Sequence, residues 1–350
     1  MIARTVPFAF AQGRPRSHIR WRSQGHASSP QIGSLKSSAI VNVPIVWKPP
    51  EGFIMQALDK KELVRICRIR IEDFDRNHPR VPYRVVADSA AMGELMAREL
   101  TGLVAANNKS GRPTRAIVPC GPMAWYKPFA RIVNAEKISL NRLTVFHMDE
   151  CLDWQGCLLP KTHPLNFRSV MEEVFYGPIE PALVVPEAQR FWMQPDLLPR
   201  YREAFWSAPI DLCLGGWGQD GHIAYNQTRR EPFSPLSLDE LRNAEMRVQN
   251  NNWDTVLALA QRNFGAAYQL VPPMSCTIGV KECLSAKKVR IFSDTGAWKM
   301  TAFRAALFAP VCVEYPLTLL QEHPDAIVTA TRDTAEHPLS VHPEWEFPGA

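Results

Sequence analysis

The run LTVFHMDE ends on adjacent carboxylates, Asp149 and Glu150, and residues 211–227, DLCLGGWGQDGHIAYNQ, set Asp220 and His222 among glycines. A carboxylate beside an imidazole holds one tautomer of the ring and raises its basicity, which suits proton transfer. Gly216, Gly218 and Gly221 also have the spacing of a dinucleotide-binding loop after a strand. The context argues against that use. A long helix should follow, and HIAYNQTRREPFSPLS lacks a helical period. Two ionisable residues stand inside or beside the glycines, where a backbone that approaches a ligand closely makes a better catalytic loop. Each residue also has a plainer use: Asp149 as a cap after its strand, His222 as a satisfied loop imidazole, Lys299 as a solvated helix residue.

Residues of this kind need a frame that brings distant loops together. MQALDKKELVRICRIRIEDF has helical spacing at Leu58, Leu63, Ile66 and Ile69. YRVVADS reads as a strand entering a helix, with Ser89 as N-cap of AAMGELMARELTGLVAANN. RAIVPC is a second strand ended by Gly121-Pro122, LTVFHMDE a third and DLCLGG a fourth. SCTIGVKECL, KKVRIFS, TGAWKMTAFRAALFA and DAIVTAT continue the strand–helix rhythm. That alternation predicts an α/β fold: a single doubly wound, mostly parallel sheet with helices on both faces, Rossmann-like in plan. In such sheets ligands bind beyond the carboxyl ends of the strands. The ends of RAIVPC, LTVFHMDE and DLCLGG are therefore where a site is expected.

Three segments are expected: a basic extension over 1–54, one folded domain over 55–335 and a tail over 336–350. The net charge of +5 comes from the first of these, where seven Arg and Lys face Glu51 alone. The remainder carries 33 basic and 34 acidic residues, so no footprint for nucleic acid is expected. The extension is aperiodic and broken by prolines, consistent with disorder, and reads either as a targeting segment or as a start assigned upstream of Met55. No apolar run of membrane-spanning length occurs. Eight cysteines show no C-x-x-C pair and no zinc spacing, which fits reduced, buried thiols in the cytoplasm and no metal.

Asp220-Gly221-His222-Ile223-Ala224-Tyr225-Asn226-Gln227 resembles the D-G-H-I-A-F-N-E signature of glucosamine-6-phosphate deaminases. Three further segments resemble the same family in the same order: HMDECLDW its M-D-E-Y element, HPLNFRSVMEEVF its H-P-x-S-Y segment, and SCTIGVKECLSAKKVRIFSDTGAWKMTAFRAAL its late T-x-G-V…G-x-x-K-A element. The resemblance implies aldose–ketose isomerisation with deamination of an amino-sugar phosphate, without a cofactor, in a homo-oligomer. It implies Asp149 as the base at C2, His222 as the ring-opening acid/base oriented by Asp220, and Gln227 at the remaining catalytic position. Cys120, Gly121, Glu150, Gly221, Asn226 and Lys299 would bind the substrate, Lys299 its phosphate.

Three departures bear on the chemistry. The signature's closing glutamate is Gln227, an amide that cannot exchange a proton as a carboxyl can. The phosphate loop, Gly- and Thr-rich in the family, reads Val118-Pro119-Cys120-Gly121-Pro122-Met123, without hydroxyls and with two prolines that lack N–H donors. The arginine of the family's D-T-R element is Val256, which leaves its phosphate contact to Arg262 if that side chain reaches the same place. These changes leave open a binding protein without turnover and, on the lactonase branch of the same fold, hydrolysis of a sugar-phosphate lactone. Trp217, between glycines beside Asp220, is expected to reshape the pocket.

Overall fold

The computed structural model describes residues 58–229 and 235–349. The extension expected over 1–54 lies outside the described residues. Among the described residues ten strands follow in order: β1 (Tyr83–Val86), β2 (Thr114–Val118), β3 (Leu143–His147), β4 (Asp149–Leu152), β5 (Arg190–Phe191), β6 (Leu212–Gly215), β7 (Arg247–Asn250), β8 (Met274–Thr277), β9 (Val289–Ser293) and β10 (Ala326–Thr331). Seven form one parallel sheet in the order β1-β10-β9-β6-β2-β3-β5. The strands are mostly apolar because both faces are covered, with arginines such as Arg115 and Arg290 near their starts. Ala116 and Val118 of β2 enter one core while Ile117 enters the other, and Leu143 and Val145 of β3 face away from Phe146 in the same way.

The helix Ser89–Lys109 buries a stripe at Met92, Met96, Leu100 and Val104 against one face. Its N-cap is Asp88, whose carboxylate accepts from Ala91 N at 2.9 Å, rather than Ser89. Asp88 still has extended dihedrals, as a cap must, and Ser89 is already the first helical residue. On the other face lie the helices Lys60–Arg68 and Met300–Phe308. The first is shorter than its spacing suggested, capped by Asp59 and ending at Arg68. Arg304, fully buried between them, donates to the carbonyls of Ile66, Ile69 and Ala335 and to Ser340 Oγ. A cation on carbonyls that end helices satisfies the acceptors those ends leave over. Residues 336–349 include a short helix, Pro338–Val341, with His337 buried and Leu339 packed on the core.

LTVFHMDE is not one strand. It leaves the parallel sheet at Met148, and β4 pairs antiparallel with β8, itself paired with β7 in a separate three-stranded sheet. Met148 joins the two, donating its N–H to Val118 O and accepting Ile278 N–H. The chain order reverses at the β2/β6 junction, since β3 and β5 lie to one side of β2 and β6, β9, β10 and β1 to the other. Such a reversal opens a crevice outside the carboxyl ends of the strands.

Candidate active site

The loops that leave β2, β3, β6 and β9 converge on that crevice and enclose a cavity of about 470 Å³. Each contributes the residue at its strand's end: Pro119 after β2, Met148 after β3, Gly216 after β6 and Asp294 after β9. The helix Trp253–Asn263 closes the cavity from outside the sheet with Thr255, Ala258, Leu259 and Arg262, which share one helical face.

The β6 loop builds an acid–imidazole pair. His222 Nδ1 lies 2.6 Å from Asp220 Oδ1, and both side chains are almost wholly buried. With its Nδ1 proton on that carboxylate, the ring keeps its lone pair on Nε2 for proton transfer. The loop is tied at both ends, Gly218 N–H to His222 O and Leu317 N–H to Gly221 O, the latter at 2.7 Å. Two positions could carry no ordinary side chain. A Cβ on Gly218 would stand 2.0 Å from the His222 ring, and Gly221 turns the chain at φ +76°. Ala224 at φ +53° holds the left-handed conformation without being a glycine, a strain of about 1–2 kcal/mol stored beside the imidazole. Tyr225 stacks on His222 at 5.7 Å between ring centres.

Asp149 lies across the β3–β4 junction on the same cavity wall. Burial, reinforced by neighbouring Glu150, pushes its carboxyl up to about 8, where a general base works near neutral pH. Its surface is half-covered rather than sealed, because the cavity reaches it. Glu150 points the other way. Its carboxylate accepts from the backbone N–H groups of Cys151, Phe167 and Arg168 and so caps the helix Phe167–Met171. Burial raises Glu150 to about 7 against the pull of those donors. It is therefore set behind the cavity wall, where it holds Phe167 in place.

Lys299 and Arg262 bring two cations to the cavity. Burial, and then the charge of Arg262, lowers the Lys299 ammonium to about 8. The lysine lies 6.0 Å over the Trp217 ring, and the indole N–H donates to Lys299 O at 3.3 Å. Trp217 is buried and stacks on Phe303, so it forms a fixed part of the wall. Cys120 and Gly121 also line the cavity, between prolines without N–H groups, and burial drives the Cys120 thiol well up.

Besides Glu150, the expected site residues Asp220, Gly221, Asn226 and Gln227 stand back from the cavity, Asp220 at the Nδ1 of the His222 ring. Asn226 is fully buried, donates to Ile223 O and Ile278 O and accepts from Arg247, so its side chain braces the loop. Gln227 lies behind His222, its amide nitrogen 3.3 Å from Nδ1, and its oxygen accepts Asn252 N–H at 2.9 Å. Val256 points into a small apolar cluster with Ala260 and Val271, whereas Arg262 on the cavity face supplies a guanidinium. Thr255, Tyr225 and Gln219 also line the cavity and were not singled out from the sequence. Spacing of 255, 258, 259 and 262 on one helix was the signal that could have found Thr255.

No family model matches the chain. Among curated proteins it is 30% identical over 252 residues to a glucosamine-6-phosphate deaminase of Caenorhabditis elegans, a match that covers 71% of this chain and 87% of the relative. It is 30% identical over 241 residues to a protein of the same name from Aliivibrio fischeri, covering 66% and 82%. A third, from Aeromonas hydrophila, is 32% identical over 225 residues, covering 62% and 77%. Among solved structures the fold is like that of a monomeric glucosamine-6-phosphate deaminase, with a TM-score of 0.61, 21% identity and coverage of 73% and 98%. It is also like that of a Shewanella baltica 6-phosphogluconolactonase, with a TM-score of 0.50, 14% identity and coverage of 72% and 97%.

Proposed function

The chain belongs to the glucosamine-6-phosphate deaminase family, and from that premise we propose that it isomerises and deaminates an amino-sugar phosphate. The observation that carries this reading is one cavity lined by Asp149, by His222 with Asp220 on its Nδ1, and by the two cations Lys299 and Arg262. The reaction needs those three kinds of group. Opening the sugar ring takes a proton from the C1 hydroxyl and returns one to the ring oxygen, work for an imidazole with a lone pair on Nε2. Asp149 removes the C2 proton of the open aldehyde while the aldehyde oxygen takes one up, and the resulting enolamine gains a proton at C1 and loses one from nitrogen. The product is the imine of a 2-keto sugar, which water hydrolyses to ketose phosphate and ammonia. Lys299 and Arg262 hold the phosphate, where a salt-sensitive contribution of about 1.5–3 kcal/mol is expected from each charge-assisted bond.

The raised carboxyl of Asp149 supports its use as a base. A substrate ammonium at C2 would lower it on binding, because opposite charge favours the ionised form. Eight unpaired thiols suit a reducing compartment such as the cytoplasm. A second reading, binding without turnover, is favoured by one observation: the group beside His222 is the amide of Gln227, which cannot relay a proton. The test is purified protein with glucosamine 6-phosphate, reading ammonia and fructose 6-phosphate in equal amounts. Ligand binding with neither product supports the second reading, and hydrolysis of 6-phosphogluconolactone instead would assign the chain to the other branch of its fold.

A further inference from the structure

The Thr255 hydroxyl sits between two amides, and one of them cannot turn round. Asn252 N–H donates to Gln227 Oε1 at 2.9 Å, so the oxygen end of that amide faces the backbone donor. A flipped amide would set N–H against NH₂. The nitrogen end therefore faces Thr255 Oγ1 and donates to it. Gln219 Nε2 donates to the same oxygen at 3.0 Å, from a side chain that lines the cavity. A threonine hydroxyl has two lone pairs and one proton. Both lone pairs are occupied here. Among the described residues the hydroxyl makes no donating bond to the protein, not even to the preceding backbone turn that Thr101 uses. Thr255 is buried and lines the cavity.

We infer that Thr255 is a specificity-determining donor, giving its proton to an oxygen of the bound sugar phosphate, and that Gln227 is the positioning residue that fixes this polarity. The ligand part of this inference rests on the sugar-phosphate reading above. A carboxylate at position 227 would reverse the arrangement. It has no proton to give, so it would accept from both Asn252 N–H and the Thr255 hydroxyl and withdraw the donor from the cavity. The ligand atom at Thr255 is accordingly a hydroxyl, carbonyl or phosphoryl oxygen. It is not an ammonium, which has no lone pair. The ammonium of an amino-sugar phosphate must lie away from Thr255.

Two measurements test this independently. Neutron diffraction of the native protein and of Gln227→Glu locates the deuteron on Thr255 Oγ1 without any sugar. It should point into the cavity in the native protein and toward the introduced carboxylate in the variant. A native deuteron on Gln227 or Gln219 overturns the inference whatever the ligand. Calorimetric titration then uses glucosamine 6-phosphate, glucose 6-phosphate and fructose 6-phosphate against the native protein, Thr255→Val, Thr255→Ser, Gln227→Glu and the Gln227→Glu/Thr255→Val double variant. Thr255→Val should weaken the sugars that bind by about three- to tenfold, and Thr255→Ser should restore most of that. Gln227→Glu should lose a similar factor, with little added by the second substitution because both remove one donor. Native-like affinity in Thr255→Val, or fully additive losses, overturns the inference. If none of the three sugars binds the native protein, the sugar-phosphate reading falls, and the deuteron position still decides the polarity.

Discussion

Gly218→Ala isolates the position of the His222 imidazole from the chemistry proposed for it. A Cβ there would stand 2.0 Å from His222 Cε1, 2.2 Å from Nδ1 and 2.5 Å from Nε2. Non-bonded carbon atoms settle near 3.5 Å, so the ring must retreat by about 1.5 Å. The 2.6 Å bond from Nδ1 to Asp220 cannot stretch that far and remain a hydrogen bond. Misplacing a reacting group by about 1 Å costs on the order of 10² in rate, and the added methylene costs about 1–3 kcal/mol by overpacking. Gly216→Ala is the internal control, because a Cβ there first meets Gly121 O and Phe292 O at 3.4 Å, a contact the loop can absorb by shifting a few tenths of an ångström. The assay is ammonia release from glucosamine 6-phosphate, with thermal melting to confirm that both variants fold. Gly218→Ala should lose about 10²-fold in kcat while Gly216→Ala keeps kcat within a few-fold. Equal losses, or an active Gly218→Ala, would refute the claim that this glycine exists to seat the imidazole.

Further expectations concern charge and packing. Asp149 has its carboxyl raised to about 8, above its unfolded value, so its presence weakens the fold progressively as pH rises from about 4 to 8. Asp149→Asn should therefore raise stability by about 1–3 kcal/mol at pH 8 and hardly at all at pH 4, less than the full shift implies because the cavity hydrates the carboxyl; denaturant titration at the two pH values checks it, and a stability difference independent of pH would contradict it. Lys299, lowered to about 8, must be protonated to hold a phosphate, so affinity for glucosamine 6-phosphate should fall by up to about tenfold from pH 7 to 9 in the native protein and by less in Lys299→Ala, as read by calorimetry. Arg262→Ala should weaken the same ligand by about tenfold at low salt and less at high salt, and a salt-independent loss would mean that Arg262 only packs. Arg304→Ala leaves the carbonyls of Ile66, Ile69 and Ala335 without their donor and should cost about 3–5 kcal/mol in denaturant unfolding.

The parallel sheet was legible because its strands are short apolar runs between helices with caps and stripes, a pattern that is local. The break at Met148 was not, because HMDE continues the apolar strand without a glycine or proline. What turns the chain is pairing of β4 with β8, more than a hundred residues later. The site followed the same division. Asp149, His222 and Asp220 could be singled out because strand ends and a glycine-rich loop mark them, and the fold sets Asp149 and His222 on one cavity with Asp220 against the imidazole. Glu150 and Asn226 stand in the same motifs with the same chemical capacity. Their polar atoms are consumed by backbone groups, and in Asn226 also by the Arg247 guanidinium, that the folded chain brings near. Arg262 shows the reverse case, since Val256 occupies the motif position and the cation lies further along the helix on a different face. The orientation of the Gln227 amide depends on Asn252 N–H and on Thr255, and no run of letters encodes it.

Exchange of the C2 proton tests the central claim most directly, because it reads the step assigned to Asp149 without waiting for ammonia to leave. Glucosamine 6-phosphate is incubated with the protein in deuterated water, and the C2 proton signal and deuterium at C1 of any ketose product are followed by nuclear magnetic resonance. The native protein should wash out the C2 proton or deliver deuterium to C1, and Asp149→Asn should do neither while binding the sugar with near-native affinity. A native protein that binds the sugar to saturation and leaves its C2 proton in place, or an Asp149→Asn variant that exchanges it at the native rate, would contradict the account.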